Sequence, residues 1–459
     1  MASVAGALAR IKQDLNIFLP DDSIVDACRQ AGHQWREREL GPVRTLQLFL
    51  LQVLNFNTAM THLRHLAGEA IKAPAFCRAR MRLPLAALQK LLRQSSQAMY
   101  DASKGVLKSC SAAEDCGRWC GLRALLVDGS STITPDTPSC QKAFGQPAAC
   151  RKGCGFPVPK VLGLFDAFTG LIVELINFPL FTHEQSKVWM LHPLLGKGDV
   201  LVGDRGFCSF WHLCMLWRAQ AMGVFRIHQL QIVDFRPHRK AAGQLSKELR
   251  KGRPKSRFIR RLGKHDHIVQ WIRPKQPPAW MTDKQHQTMP ATLQVRELRY
   301  TIAAKGQRTR CVTIATTLLD ETLYPKQKIV ELYGVRWQVE KHFAELKTTL
   351  KMRKVKSRTA EGVNKELLVY ALVYNLVHAL MVEAAAQQNV PPERISFIDT
   401  LRWLLSAAPT DRTPALLVNP YRPDRHEPRV IKDLQDTYTK MVHPRTELRK
   451  TLKNRARAA

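Results

Sequence analysis

The sequence predicts an α/β chain in three parts. A helical N-terminal domain is expected over 1–115, a mixed-sheet core over 116–360, and a helical C-terminal region with a basic tail over 361–459; a basic, strand-rich insertion interrupts the core over 229–296. Three observations lead there. Before residue 115 the apolar residues recur at helical spacing. From Gly121 onward the pattern changes to short apolar runs punctuated by Gly and Pro, as strands are. Finally, Tyr333 to Lys347, YGVRWQVEKHFAELK, reads as one amphipathic helix at the end of the core.

Composition narrows the function. A chain of 459 residues is long enough for about three domains. With 71 Lys+Arg against 38 Asp+Glu the formal charge is +33, which implies a polyanionic partner. The basic runs are interleaved with aromatics and Pro, so nucleic acid fits better than a membrane surface. No uninterrupted apolar stretch approaches the ~20 residues of a spanning helix. MASVAGALARIKQDL carries charges where a signal peptide needs an apolar run, so a reducing cytoplasm is expected. Among the eleven Cys, three (Cys110, Cys116, Cys120) precede one strand and three (Cys140, Cys150, Cys154) follow it, but no CxxC pair occurs. These irregular spacings favour free thiols over zinc.

Taken in order, Pro20-Asp21-Asp22-Ser23 opens a helix to Gly32, and TLQLFLLQVL (45–54) is a buried one. Asn57 is a candidate N-cap for a helix that Gly68 ends, and Pro84 starts another to about Ala102, preceded by Arg78, Arg80 and Arg82. Such a set suits either a DNA-reading helical module or a plain bundle. In the core, RALLVDGSS is a strand ending at Asp128-Gly129. VPKVLGLFD and LIVELINFP form a hairpin, and Thr182 with Gln185 is a capping-box pattern for a helix to about Leu195. DVLVGDRGF is a strand ending at Asp204, followed by a helix over 209–220 and the strand MGVFRIH. The insertion holds HRK (238–240), KELRKGRPKSRFIRR (247–261), Trp271 and Trp280; WIRP and LQVRELRYTIAA favour strands in part of it. After the basic KMRKVKSRT (351–359), a helix over 364–383 is apolar on several faces and therefore buried.

Two carboxylates share a setting. Asp128 follows ALLV and Asp204 follows VLVG, each where a buried strand gives way to a loop. On an ideal helix, Tyr333, Arg336, Glu340 and Lys347 fall within roughly 60° of one another, while Gln338, Lys341 and Glu345 point to the far side. This polar stripe is either a salt-bridge cluster bracing the helix or a metal-binding carboxylate flanked by phosphate-binding cations. Three acids drawn from distant parts of the chain are what phosphoryl transfer needs. Two divalent ions about 3.5–4 Å apart can activate the attacking oxygen and stabilise the leaving one, and Mg2+ takes a few carboxylates with water. Asp166 and Asp199 are expected on the opposite rim of the sheet. No GxxxxGK[ST], HExxH or GxSxG motif occurs.

With Asp128 in LLVDGS, Asp204 in LVGDRGF and Glu340 in a Y-x2-R-x3-E-x6-K signature, the chain resembles the insertion-sequence-four transposases of the DDE class over about 120–360. Tyr333, Arg336, Glu340 and Lys347 match that signature at every spacing. The resemblance implies a ribonuclease H-like core with Asp128, Asp204 and Glu340 as catalytic metal ligands for Mg2+, with Mn2+ as a substitute. It further implies DNA contacts from Tyr333, Arg336 and Lys347. The activity implied is cut-and-paste transposition on double-stranded DNA, at inverted-repeat ends and in target DNA, through a homodimer in the synaptic complex. Trp280 or Trp271 would serve for stacking a flipped base, against the alternative that each is insertion core. Two rival functions share the fold: a non-catalytic DNA-binding relative, and a structure-specific nuclease that cuts without joining.

Overall fold

A computed structural model describes residues 18–36, 39–107, 117–151, 153–229, 231, 233–236, 253–302, 310–408, 411–420, 443, 447 and 450–451. The basic run at 238–240, most of the basic tail, Cys110 and Cys116 lie outside them.

The centre is one mixed sheet. Its strands are β1 (Arg123–Ser131), β2 (Lys160–Asp166), β3 (Ile172–Phe178), β4 (Asp199–Gly203), β5 (Met222–Arg226), β6 (Lys255–Gly263), β7 (Asp266–Ile272), β8 (Thr292–Ile302) and β9 (Arg310–Thr316). They lie in the order β3-β2-β1-β4-β5-β9-β8-β7-β6. β1, β4 and β5 run parallel to one another, and every other neighbouring pair is antiparallel. The insertion thus extends the core sheet through β6, β7 and the start of β8. Buried polar pairs lock that extension: Arg296 to Asp266 at 2.6 Å and His267 to Glu297 at 2.9 Å.

Alternation along β1 sorts its residues between two cores. Ala124 and Leu126 pack in one hydrophobic cluster, Leu125 and Val127 in the other. The first cluster joins the sheet to helices from both ends of the chain: α1 (Asp21–Gln30), α2 (Pro42–Leu54), α3 (Leu63–Ala67), α4 (Ala73–Arg82), α5 (Leu85–Leu107), α9 (Lys326–Val335), α10 (Gln338–Ala344), α11 (Ala360–Gln387) and α12 (Phe397–Ser406). The short helix α6 (Pro138–Phe144) adds Cys140 and Phe144 to that first cluster, while the second lies under α7 (Phe210–Arg218) and takes in Met281 and Met289 on either side of the short α8 (Asp283–Gln287). α11 is long and apolar enough to cross a membrane, but 89% of its apolar window is buried inside the protein. It is the central pillar: α2 and α5 pack on it. Asn375 from α11 satisfies both backbone groups of Ile172 on edge strand β3, at 2.7 and 2.8 Å.

Several local expectations are corrected. Asn57 is not a cap; its backbone is left-handed (φ 52°) and its amide donates to the buried Glu366 at 2.6 Å. The Thr182–Gln185 pattern opens no α-helix: residues Glu184–Ser186 and Val188–Leu194 form two 3-10 turns, the second containing Pro193, which has no N–H to give. Thr282 and Gln285 make the real capping box, at α8. The cationic residues before Pro84 lie on a helix, α4, where Arg80 is buried over the Phe49 ring at 4.0 Å. α12 was not anticipated, although Ser396 accepts from Asp399 N as an N-cap and heads an amphipathic run.

Candidate active site at the ends of β1 and β4

Pairing of β1 with β4 runs from Arg123–Asp199 to Val127–Gly203. The next residue on each strand is a carboxylate, Asp128 and Asp204. Because Ala124 and Leu126, like Val200 and Val202, belong to the first cluster, the alternation carries Asp128 and Asp204 onto that same face. Ser130 follows there too. Asp166 and Asp199 stand at the other end of the strands, as their register with Leu125 and Arg123 requires, and Asp166 is fully buried against Arg123 at 3.0 Å.

The strand does not end at Asp128, contrary to expectation. β1 continues through Gly129 to Ser131, so Asp-Gly is here a strand pair and not a turn. The glycine has a different reason: a Cβ at 129 would overlap the carboxylate of Glu184, which lies over it on the second face. Glu184 is a fourth acid that sequence reasoning missed; a glycine inside a strand was the signal. Burial pushes its carboxyl up, with Lys160 opposing and Asp128 adding to the rise.

The Tyr333–Lys347 stretch is not one uninterrupted helix. α9 ends at Val335, Arg336 and Trp337 form a tightened turn with i→i−3 bonds, α10 runs to Ala344, and Glu345–Thr349 is a π-turn. Glu345, expected on the far side, is buried, whereas Lys341 is exposed as expected.

The signature residues face the strand ends. Arg336, itself buried, reaches Asp128 Oδ2 at 3.4 Å and Glu340 Oε1 at 3.7 Å. Tyr333 is buried and donates to Asp204 Oδ1 at 3.5 Å. Lys347 donates to Ser130 Oγ at 3.2 Å. The structure therefore brings Asp128, Asp204, Glu340, Tyr333, Arg336 and Lys347 to one place. Asp128 also accepts from Gly129 N–H at 2.8 Å. Its carboxyl is raised above the usual range, first by burial; Gly129 N–H and Arg336 pull it down, and the charges of Asp204 and Glu340 push it back up. Tyr333's hydroxyl is likewise raised, by burial and by Asp204. Burial and Arg353 lower the Lys347 ammonium. Glu340 stands about half exposed, at 52%, so the cluster opens to solvent on the helix side.

The two tryptophans part company. Trp271 is fully buried and its indole N–H donates to Glu297 Oε1 at 2.8 Å, so it is insertion core and has no face for a base. Trp280 is half-buried, stacks on His212 with ring centroids 4.9 Å apart, and lines an open cavity of about 610 Å3 with Lys160, Glu184 and Arg205. Among the described residues no cysteine cluster offers metal ligands, and no described cysteine forms a disulfide.

Over 378 residues the chain is 25% identical to the transposase InsG for insertion sequence element IS4 of Escherichia coli (strain K12), covering 78% of this chain and 76% of that protein. A piggyBac transposase synaptic complex with hairpin DNA aligns with 88% of this chain and 80% of its own, at a TM-score of 0.39 and 9% identity. The family described as Transposase DDE domain matches residues 119–376, which is more than half of the chain and contains Asp128, Asp204 and the whole signature. This chain therefore belongs to the DDE-domain transposase family.

Proposed function

We propose that the chain carries out cut-and-paste DNA transposition from a ribonuclease H-like core, with Asp128, Asp204 and Glu340 as ligands for Mg2+ or, in its place, Mn2+. The order β3-β2-β1-β4-β5, with an antiparallel β1–β2–β3 meander beside parallel β1, β4 and β5, supports that core. The observation that carries the reading is that Arg336 joins Glu340 to Asp128, while Asp204, held by Tyr333, stands beside Asp128 where the β1–β4 pairing stops.

The donor set fits a hard divalent cation. It offers carboxylate oxygens only, it is partly open, and the repulsion from Asp204 and Glu340, which adds to the rise that burial imposes on Asp128, is relieved by positive charge. Ions bound there would stabilise charge on the attacking and leaving oxygens of a phosphodiester. The chain's own groups do the rest. Gly129 N–H orients Asp128, Tyr333 O–H orients Asp204, and Arg336 holds Asp128 and Glu340 together. Of the three expected phosphate contacts, Lys347 is the freest to serve, because its partner is a neutral hydroxyl while Tyr333 and Arg336 face carboxylates. The surrounding excess of Lys and Arg binds the DNA backbone. In this reading water opens the strand at the transposon end, the freed 3′-OH attacks the opposite strand, and the released end later attacks target DNA. Two copies of the chain would pair the two ends, the N-terminal helices would help bind them, and Trp280, in its cavity, is the remaining candidate for base stacking.

The test is cleavage of labelled inverted-repeat DNA with Mg2+. Asp128→Asn, Asp204→Asn and Glu340→Gln are each expected to bind the end and leave it uncut. Normal cleavage by any of them removes that residue from the assignment. A wild-type chain that shifts the DNA without cutting would be a binder, and one that cuts without strand-transfer products a nuclease.

A further inference from the structure

Behind the signature helix lies a second cluster that the transposition chemistry does not use. His342 on α10, Glu345 at the head of the π-turn, and Tyr374 and His378 on α11 are all buried. The ligand atoms of His342, Glu345 and His378 lie within 4.8 Å of one another. His342 Nδ1 is 3.7 Å from Glu345 Oε2, and His378 Nε2 is 3.3 Å from the same oxygen. The Tyr374 hydroxyl joins them, 2.8 Å from His342 Nδ1 and 3.1 Å from Glu345 Oε2. Gly170, at φ +72°, makes room for both imidazoles: a Cβ there would run into the His378 ring and press on His342.

The hydrogen bonding of His378 is the informative feature. Its Nδ1 faces the Thr169 carbonyl at 3.0 Å, and its Nε2 faces the Glu345 carboxylate. Both partners only accept, while a neutral imidazole has one N–H. The Nδ1–H takes the carbonyl, which is the arrangement that fixes Nε2 as a metal ligand. What remains between Nε2 and the carboxylate is either a second proton, on the imidazole or on the carboxyl, or a shared metal cation. A tetrahedral zinc site with bonds of ~2.0–2.1 Å has neighbouring donor atoms ~3.3 Å apart. The observed separations of 3.1, 3.3 and 3.7 Å to Glu345 Oε2 bracket that edge.

We propose that His342 Nδ1, Glu345 and His378 Nε2, with the Tyr374 hydroxyl as fourth donor, form a structural zinc site. It is separate from the carboxylate cluster of Asp128, Asp204 and Glu340. It staples the π-turn to α11, and so fixes the segment from which Glu340 and Lys347 project. The proposal does not depend on the catalytic assignment.

Tag-free full-length chain, prepared without chelator and dialysed, is analysed for metal and then reconstituted with Zn2+ or Co2+. About one Zn per chain is expected, with a melting temperature that falls on stripping and returns with Zn2+ but not with Mg2+. The Co2+ form is expected to show the visible bands of a tetrahedral N/O site. His342→Asn and His378→Asn should lose the bound zinc, and the Asp128→Asn, Asp204→Asn, Glu340→Gln triple variant should keep it. If the histidine variants do not fold, the wild-type chain decides alone: zinc well below one per chain after reconstitution overturns the proposal. So does a zinc content that follows the carboxylate triple variant instead of the histidines.

Discussion

Replacing Arg336 by Ala is the most telling perturbation of the carboxylate cluster. The guanidinium has two acidic partners, Asp128 Oδ2 at 3.4 Å and Glu340 Oε1 at 3.7 Å. At an effective dielectric near 20, each contact has a gross Coulomb energy of about 4–5 kcal/mol. The net value is much smaller. Glu340 is 52% exposed, so its share is that of a surface pair, about 0–1 kcal/mol. Asp128 is 23% exposed, and breaking a fully buried pair costs about 3–5 kcal/mol. Arg336→Ala is therefore expected to destabilise the fold by about 2–3 kcal/mol, measured by urea unfolding in chelator. The pH dependence has a definite sign. Asp128's folded-state carboxyl is already raised, and the variant removes a group that lowers it. The loss is thus small in acid, where the carboxyl is protonated folded or unfolded, and grows as pH rises through the folded-state value. Because the variant leaves the carboxylates less neutralised, Mg2+ should stabilise it more than it stabilises wild type. A loss below about 0.5 kcal/mol, or an Mg2+ response equal to wild type, would refute the idea that Arg336 balances the charge of this cluster.

Two further outcomes follow from the same geometry. Lys347→Ala should weaken binding to transposon-end DNA and reduce the slope of log K against log salt by about one phosphate contact; an unchanged slope across a salt titration removes Lys347 from the DNA interface. Trp271→Ala should cost about 3–5 kcal/mol of stability through its buried cavity and the stranded Glu297, whereas Trp280→Ala, which removes a half-buried ring stacked on His212, should cost clearly less and should change the signal of a fluorescent base analogue at the transposon end. Equal losses of stability in the two variants would show that Trp280 is core as well.

Much of the site was legible in the residues. Strand-length apolar runs ending in Asp128 and Asp204 are local patterns, and the spacing of Tyr333, Arg336, Glu340 and Lys347 survives a tightened turn because helical backbone persists through Arg336 and Trp337. The period-two alternation of β1 even contained which face Asp128 would take. The sequence by itself therefore determined the strands and helices, the polyanionic character of the partner and the acids that meet. Only the tertiary structure decided the rest. Gly129 looks like a turn until Glu184 is seen packed over it, and that contact joins residues from separate strands and loops. Glu345 looks solvent-facing on an ideal helix, but α11 packs over it and meets its carboxylate with His378 and Tyr374. Both reversals have one cause: local spacing encodes direction along an ideal element, while the close approach of distant segments sets which departures from it are stable.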